Sequence, residues 1–402
     1  MPTDTEFRIR SIVLPTLAPT LLFAIGEGAI IPVLPAIAAH RHASLAGAGL
    51  VAAMIMLGTL LGDLPSGRVI HRIGERRAMI AACLVAAAGL LLALAAPNAW
   101  LLAAGILLVG IATAIFALAR HAFLATAVPL SHRARALATL GGTFRLGYFI
   151  GPFLGAALIG LTGWTECVFL VHLTGIAGAL LLLVLQRDPS ERIARLRGAD
   201  DVGRPAGLLA TIRANRRVHA TIGLGAMSLS ALRASRGVVL PLWAVSIGID
   251  EVHTSLIVGL AGAIDVALFY LGGQLMDRFG RAWTVVPSTL GLALCFLVLA
   301  VSRAAADPVA WFVGVAVACS LANGLGAGIL MTIGADLADP RSPATFLSAW
   351  RFQTDTGQAG ASLVIAGVTA ALGLPVAVAV MGVIGLAGAG MLWRHAPRTP
   401  RR

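Results

Sequence analysis

Eight charged side chains fall inside stretches otherwise apolar enough to cross a bilayer: Glu27, Arg120, Arg145, Arg233, Arg236, Asp265, Arg351 and Asp355. Each costs roughly 2.5–3.5 kcal/mol at a span centre, so such groups are expected to face a cavity or one another. A carboxyl in that setting can carry a proton, and a guanidinium can grip a carboxylate or phosphate through its planar fork. Glu27, in Gly26-Glu27-Gly28, is the first candidate for proton coupling, with Asp265 and Asp355 behind it. Arg120, Arg145, Arg233, Arg236 and Arg351, with Asn323 as a hydrogen-bonding amide, are candidates for shaping a substrate cavity. Structural alternatives stand beside each. Arg351 and Asp355 lie four apart on one helix and share a face, so they can pair and lock it. Arg145 can serve a fixed carboxylate or carbonyl, and Asn323 and Gln358 can be interhelical glue.

The composition says what positions these groups. Hydrophobic residues make up 58% of the 402 residues, against roughly 45–50% in soluble domains. Charged residues fall to 12%, about half the usual share. That much apolar surface has to face lipid. The 46 glycines suit helices packed through small side chains. The net charge of +12 comes entirely from Arg, since the sequence has no Lys. A P-loop lysine and a lysine Schiff base are therefore excluded. Nucleic-acid binding, the other reading of a basic chain, is at odds with the hydropathy. Cys83, Cys167, Cys295 and Cys319 sit singly in apolar runs and read as small buried hydrophobes, not as a disulfide or metal framework. No metal site and no cofactor is expected.

A membrane span needs about 20 apolar residues. On that ruler twelve spans fall near 12–38, 45–64, 78–96, 99–128, 134–161, 165–185, 218–248, 253–276, 283–302, 308–335, 344–372 and 374–393. The Arg-bearing connections face the cytoplasm by the positive-inside rule, with Arg41 and Arg303 the only arginines assigned to outer loops. The uncharged ones, such as Pro97-Asn98, face outside, and both termini are then cytoplasmic. The long polar segment from Gln186 to Arg217 carries eight Arg against Asp188, Glu191, Asp200 and Asp201. It is a solvated linker whose latter part, Leu208, Leu209 and Ile212 against Arg213, Arg216 and Arg217, suits a short interfacial helix. The expected organisation is a six-span half over 1–185, a linker over 186–217 and a second six-span half over 218–402.

A constant offset of 206 residues relates the halves. It carries Leu34-Pro35 onto Leu240-Pro241, Gly67 onto Gly273, Arg72 onto Arg278 and Gly74 onto Gly280. It also carries Arg135 onto Arg341, Arg145 onto Arg351 and Gly151 onto Gly357. This is a duplicated unit with parallel repeats, the plan in which substrate binds near mid-membrane. The stretch Gly62 to Arg77 reads as a polar loop in which Gly67 and Gly74 let two helices turn back, and Gly273 to Arg281 is its copy. In span five, Gly147, Gly151 and Gly155 stand four apart beside Pro152 and form a smooth face for close helix approach.

The paired loops, with Asp63, Gly67, Arg72, Gly74 and Arg76 in the first copy and Gly273, Asp277, Arg278 and Gly280 in the second, resemble those of major facilitator superfamily transporters. The run Gly147-Tyr148-Phe149-Ile150-Gly151-Pro152-Phe153-Leu154-Gly155 resembles the antiporter motif of that family's twelve-span drug:proton antiporters. The resemblance spans essentially the whole chain. It implies an all-α membrane protein of twelve helices in two six-helix halves. It also implies export of a small amphipathic molecule or drug by proton antiport and alternating access, with both sets of glycine motifs gating. Two departures stand out. His71 occupies the position where the first loop motif usually has a carboxylate, a role Asp63 stands near enough to take. The fourth span lacks the family's Arg ahead of Gly110, and Arg120 is not its equivalent. The excess of intramembrane Arg supports an alternative, a carrier for organic anions. A membrane-embedded enzyme is the remote reading, since no metal-binding, nucleophile-elbow or nucleotide-loop pattern occurs. The expected partners are a small-molecule substrate, protons and the bilayer of a bacterial inner membrane, without nucleic acid, and the expected state is a monomer.

Overall fold

A chain in hydrocarbon must satisfy every backbone N–H and C=O internally, which leaves the helix as the open-chain solution. The computed structural model describes residues 13–128, 130–185, 208–326, 328–338 and 343–396, and among these no strand forms. A π-helical turn, Val13–Leu17, leads into α1 (Ala18–Ile30), followed by α2 (Leu34–His40), α3 (Leu45–Ile73), α4 (Glu75–Ala95), α5 (Ala99–Ala127), α6 (Leu130–Thr162) and α7 (Cys167–Leu185). Short helices α8 (Leu208–Ala214) and α9 (Arg216–Val218) and a second π-helical turn, His219–Gly223, precede α10 (Leu224–Ser246). Then come α11 (Glu251–Phe279), α12 (Ala282–Ser302), α13 (Pro308–Leu325), α14 (Ile329–Leu337), α15 (Pro343–Leu372) and α16 (Leu374–His395).

Among the described residues, ten of the membrane segments are long and apolar enough to cross a bilayer. The other two, α10 and α15, are the ones that carry Arg233, Arg236, Arg351 and Asp355. At 23 and 30 residues they are also long enough to cross about 30 Å of hydrocarbon. Caps fix several starts. The Asn98 side chain accepts from Leu101 N at 3.0 Å at the head of α5, and Asp307 accepts from Ala310 N at 2.9 Å at the head of α13. The first part of the linker, residues 186–207, lies outside the described residues.

Three expected boundaries are corrected. The stretch from Gly62 is not a loop: α3 continues helically to Ile73, and the connection to α4 is Gly74 alone. A helix of 29 residues runs about 43 Å, so its polar last turns extend past the hydrocarbon without unwinding. Only the second glycine of each copy turns the chain, Gly74 at φ 82° and Gly280 at φ 95°, in the left-handed region that glycine reaches at least cost. Gly67 and Gly273 lie inside α3 and α11. The first span breaks at residues 31–33, where Pro32 and Pro35 deny the helix two N–H donors. The tenth span breaks between α13 and α14, where Gly328 has φ 80°.

The packing divides the chain into two compact units. One comprises Met1–Ala43, Met54–Asp201 and Glu251–Gly259; the other comprises Ser44–Ala53, Val202–Asp250 and Leu260–Arg402. In the first unit, α4 and α5 approach through Gly89 and Gly105: a side-chain carbon on either would meet backbone of the other helix at 2.6 Å or 2.8 Å. In the second, α12 packs against α13 and α16, and Gly385 brings α16 onto Leu232 and Ala293.

Candidate functional site

In the first unit α6 lies directly on α1. A Cβ on Gly151 would meet Ala29 N at 2.6 Å, and one on Gly147 would meet Ile25 N at 2.9 Å. Gly155 has a little more room, 3.3 Å to the Ala29 carbonyl. This close approach brings Tyr148, which follows Gly147, to the carboxyl of Glu27. Helix α5 supplies Thr113 and Arg120. Glu27 is 1% exposed, and Tyr148, Arg120 and Thr113 all act on its carboxyl. Thr113 Oγ1 lies 3.4 Å from Glu27 Oε1 but 3.0 Å from the Val109 carbonyl, so its single proton has a better acceptor elsewhere. Glu27 Oε2 is buried with no hydrogen-bonding partner among the described residues.

Aromatic rings pack against Arg120 and Phe23 in the same unit. The buried guanidinium of Arg120 stands 4.7 Å from the Phe144 ring centroid and 5.9 Å from that of Phe116, cation–π geometry that suits a charge out of water. Phe116 stacks on Phe23 at 4.7 Å, and His172 meets Phe23 edge-on at 4.9 Å. His172 is 0% exposed, and both ring nitrogens lack partners among the described residues. Sequence reasoning did not single out His172, Thr113 or Tyr148. The available signals were a histidine in the apolar run of span six and one of only two tyrosines in the chain. Arg145 is half-buried on α6.

The second unit holds a separate polar group on α10, α11, α13 and α15. Arg236 Nη2 pairs with Asp265 Oδ2, and Arg236 Nη1 donates to Ser320 Oγ at 3.1 Å. Asn323 Nδ2 donates to Asp265 Oδ1 at 3.1 Å, so both oxygens of Asp265 are occupied. One turn back on α10, Arg233 Nη2 donates to the Gly326 carbonyl at 2.6 Å. That contact closes the end of α13 where the span breaks. Arginine here answers the orphan carbonyl and the negative end of the helix together. On α15, Arg351 Nε lies 3.3 Å from Asp355 Oδ2, while Gln358 Nε2 donates to Asp355 Oδ1 at 2.9 Å. Gln353 locks α15 to the second π-helical turn: Nε2 donates to the His219 carbonyl at 2.9 Å, and Oε1 lies 2.8 Å from His219 Nδ1.

The motif residues at the helix turns have distinct surroundings. Arg76 donates to the carbonyls of Leu183 at 2.7 Å and Val184 at 2.9 Å, capping the end of α7. Arg281 pairs with Asp336 of α14 at 2.9 Å. Arg72 is exposed and Asp63 half-buried on α3. Arg278 lies over the Phe279 ring at 5.3 Å. The backbone of Asp277 belongs to α11. Pro152 sits inside α6. A Cβ on Gly67 or Gly273 would meet nothing within 4 Å.

Helices of membrane length with buried charges facing one another, not lipid, define a polytopic membrane protein built to hold polar groups inside the bilayer. The family profile of the Major Facilitator Superfamily matches residues 18–352 and 222–402, and the chain belongs to that superfamily. It is a transporter, not an enzyme. Its twelve-helix fold is similar to that of a POT family transporter in complex with 5-aminolevulinic acid, at TM-score 0.76 and 12% identity, covering 96% of each chain. It is also similar to the inward open xylose transporter XylE from E. coli, at TM-score 0.72 and 16% identity, covering 98% of this chain and 97% of that one. Two curated proteins show weak sequence similarity. The tetracycline resistance protein, class H, of Pasteurella multocida is 28% identical over 168 residues, 41% of each chain. The sugar transporter ERD6 of Arabidopsis thaliana is 29% identical over 286 residues, 64% of this chain. The alignments span only 41% and 57% of those relatives' own lengths.

Proposed function

We propose that the protein exports a small amphipathic molecule in exchange for protons, with Glu27 as the carboxyl that gains and loses the proton. One contrast carries this reading. Asp265 and Asp355 each have both oxygens held by donors, so protonating either breaks an ion pair. Glu27 Oε2 has no such partner, and its Oε1 has a long contact to a threonine whose proton is better placed elsewhere. Changing its protonation state therefore breaks no direct ion pair of the Arg236–Asp265 kind and alters only the contacts with Tyr148 and Thr113 and the attraction of Arg120. The similarity to a tetracycline resistance protein supports export of an amphipathic compound. Under this reading Arg120 and the rings of Phe144 and Phe116 shape the cavity field in the first unit. Arg233, Arg236, Arg351 and Asn323 do so in the second, and Arg145 stands at the repeat-equivalent position to Arg351. The glycine turns gate. The Arg-rich connections and both termini face the cytoplasm of a bacterial inner membrane, and the protein works as a monomer of two halves, 1–185 and 218–402.

Glu27→Gln keeps the side chain's shape and removes its charge. In proteoliposomes the variant loses gradient-driven uphill transport of a test amphiphile and keeps binding and downhill exchange. Proton-coupled accumulation at the wild-type rate would move the role to Asp265. A second reading, an organic-anion carrier, draws on the arginines. Arg120, Arg145, Arg233, Arg236 and Arg351 outnumber Glu27, Asp265 and Asp355 among the charges assigned to span interiors, an excess that favours a carboxylate or phosphate. A thermal-shift comparison of cationic, neutral and anionic amphiphiles separates the two readings.

A further inference from the structure

The connection from α2 to α3 and its repeat partner from α10 to α11 have the same backbone. Ala43 N donates to the Ala38 carbonyl at 3.1 Å and Ile249 N to the Ala244 carbonyl at 3.0 Å, with His42 at φ 59° and Gly248 at φ 77°. Each of these positions is related to its counterpart by the offset of 206 residues. The side chains of the two copies differ. His40 Nε2 lies 3.1 Å from Glu251 Oε1 at the head of α11, and Arg41 Nη2 lies 3.9 Å from Glu166 Oε1 just ahead of α7. The offset carries His40, Arg41 and Glu166 onto Ser246, Ile247 and Leu372, and Glu251 back onto Leu45, all uncharged. The second copy therefore makes the same turn without a charge. The backbone does not need the charged group, so its presence in the first copy calls for another explanation.

The packing shows what the pair holds. Helix α11 is unbroken, yet Glu251–Gly259 belong to the first unit and the rest, from Leu260, to the second. Within the first unit Gly259 lies against Phe153 of α6, where a Cβ would fall 2.9 Å from the ring, and Thr254 and Ser255 are buried. The His40 side chain is 52% exposed and can exchange protons with water. Histidine is the side chain whose charge ordinarily changes between about pH 5 and 8. We propose that His40 and Glu251 form a proton-operated latch: charged, His40 holds the head of α11 on α2, and loss of its proton releases it. The attraction is present on the acid side and is lost as the pH rises. The other ionisable groups of these segments are Arg41 and His42 on the turn, Glu166 ahead of α7, and Asp250 and His253 at the head of α11. An exposed pair is weak, which suits a contact that has to open.

The test uses the whole chain in nanodiscs, its four cysteines replaced and Ser255→Cys introduced, with Thr254→Cys as a second reporter. Both positions are buried, so maleimide labelling reports release. Each variant is compared with the protein that keeps His40 at the same pH, so the thiol's own titration cancels. At about pH 5.5 the protein with His40 should label about threefold more slowly than His40→Gln, the modest ratio an exposed pair commands. At about pH 8.5, beyond the range in which histidine titrates, the two should label at the same rate. His40→Arg, charged throughout, should label slowly at both pH values, and Glu251→Gln quickly at both. His42→Gln and His253→Gln should keep the pH dependence. Equal rates for His40 and His40→Gln at both pH values, in both reporters, would overturn the latch. So would loss of the pH dependence in His42→Gln or His253→Gln. No substrate and no proton gradient enters the measurement, so its failure and failure of the reading of Glu27 are separate results.

Discussion

Asp265 and Glu27 are both buried carboxyls, yet their surroundings give them opposite consequences when changed. Asp265 neutralises Arg236 and accepts from Asn323. Asp265→Asn leaves a guanidinium buried without its counter-charge, which costs about 3–5 kcal/mol when one partner of such a pair is removed. Thermal unfolding in detergent should show a large drop for Asp265→Asn and a partial recovery when Arg236→Gln is added. Glu27→Gln leaves no opposite charge bound in the same way and should melt within about 1 kcal/mol of wild type, the ordinary range for a point change. The split between a stability defect at Asp265 and a coupling defect at Glu27 is measurable on one set of purified proteins. A large loss of stability in Glu27→Gln would argue that Glu27 is a structural partner of Arg120 and Tyr148.

At the scale of the helix, two glycines of similar motif standing do different work. Gly151 is the contact point of α6 with α1, where a Cβ would fall 2.6 Å from Ala29 N and 2.7 Å from Gly28 C. Both atoms are backbone, so neither can swing aside. Gly151→Leu should therefore separate the helices and abolish folded protein, seen as loss of a monodisperse peak in size-exclusion chromatography. Gly67 meets nothing within 4 Å, and Gly67→Leu should fold and melt as wild type does. If the Gly67 face of α3 gates transport, the same variant slows flux, and unchanged flux in well-folded Gly67→Leu protein would remove the gating role. Arg76 offers a third measurement. It closes the last carbonyls of α7 with charge-assisted bonds, so Arg76→Gln should cost about 1.5–3 kcal/mol and speed amide exchange at the end of α7.

For the molecule as a whole, the Arg distribution makes a prediction about sidedness that packing cannot make. Single cysteines at Ser190 and Asn98, in a protein freed of Cys83, Cys167, Cys295 and Cys319, should be labelled from opposite sides of the membrane, Ser190 from the cytoplasm. Labelling of both from one side would break either the span count or the orientation. The same arithmetic explains why α10 and α15 are less apolar than the other spans. They carry the arginines, and each is relieved inside its own unit by a carboxylate, a carbonyl or a hydroxyl.

The chain's hydropathy determined that it is a bundle of membrane helices, because no soluble packing hides 58% hydrophobic residues, and continuous apolar runs of about 20 residues suit the helix, not the alternating strands of a closed barrel. The offset of 206 residues determined the repeat, and equal geometry at Gly74 and Gly280 follows from it. Helix ends were less legible. Length alone did not reveal that α3 would carry its polar turns out to Ile73, since a helix past the membrane edge meets no penalty that would stop it. Which charges meet was decided by the tertiary structure, because partners such as Arg236 and Asp265, or Arg76 and the Leu183 carbonyl, lie far apart in the chain. The same holds for the setting of Glu27. Its type and place were visible in Gly26-Glu27-Gly28, but only the close contact of Gly147 and Gly151 with α1 brings Tyr148 beside it. Such contacts depend on the sideways approach of helices, which a one-dimensional pattern of apolar residues does not encode.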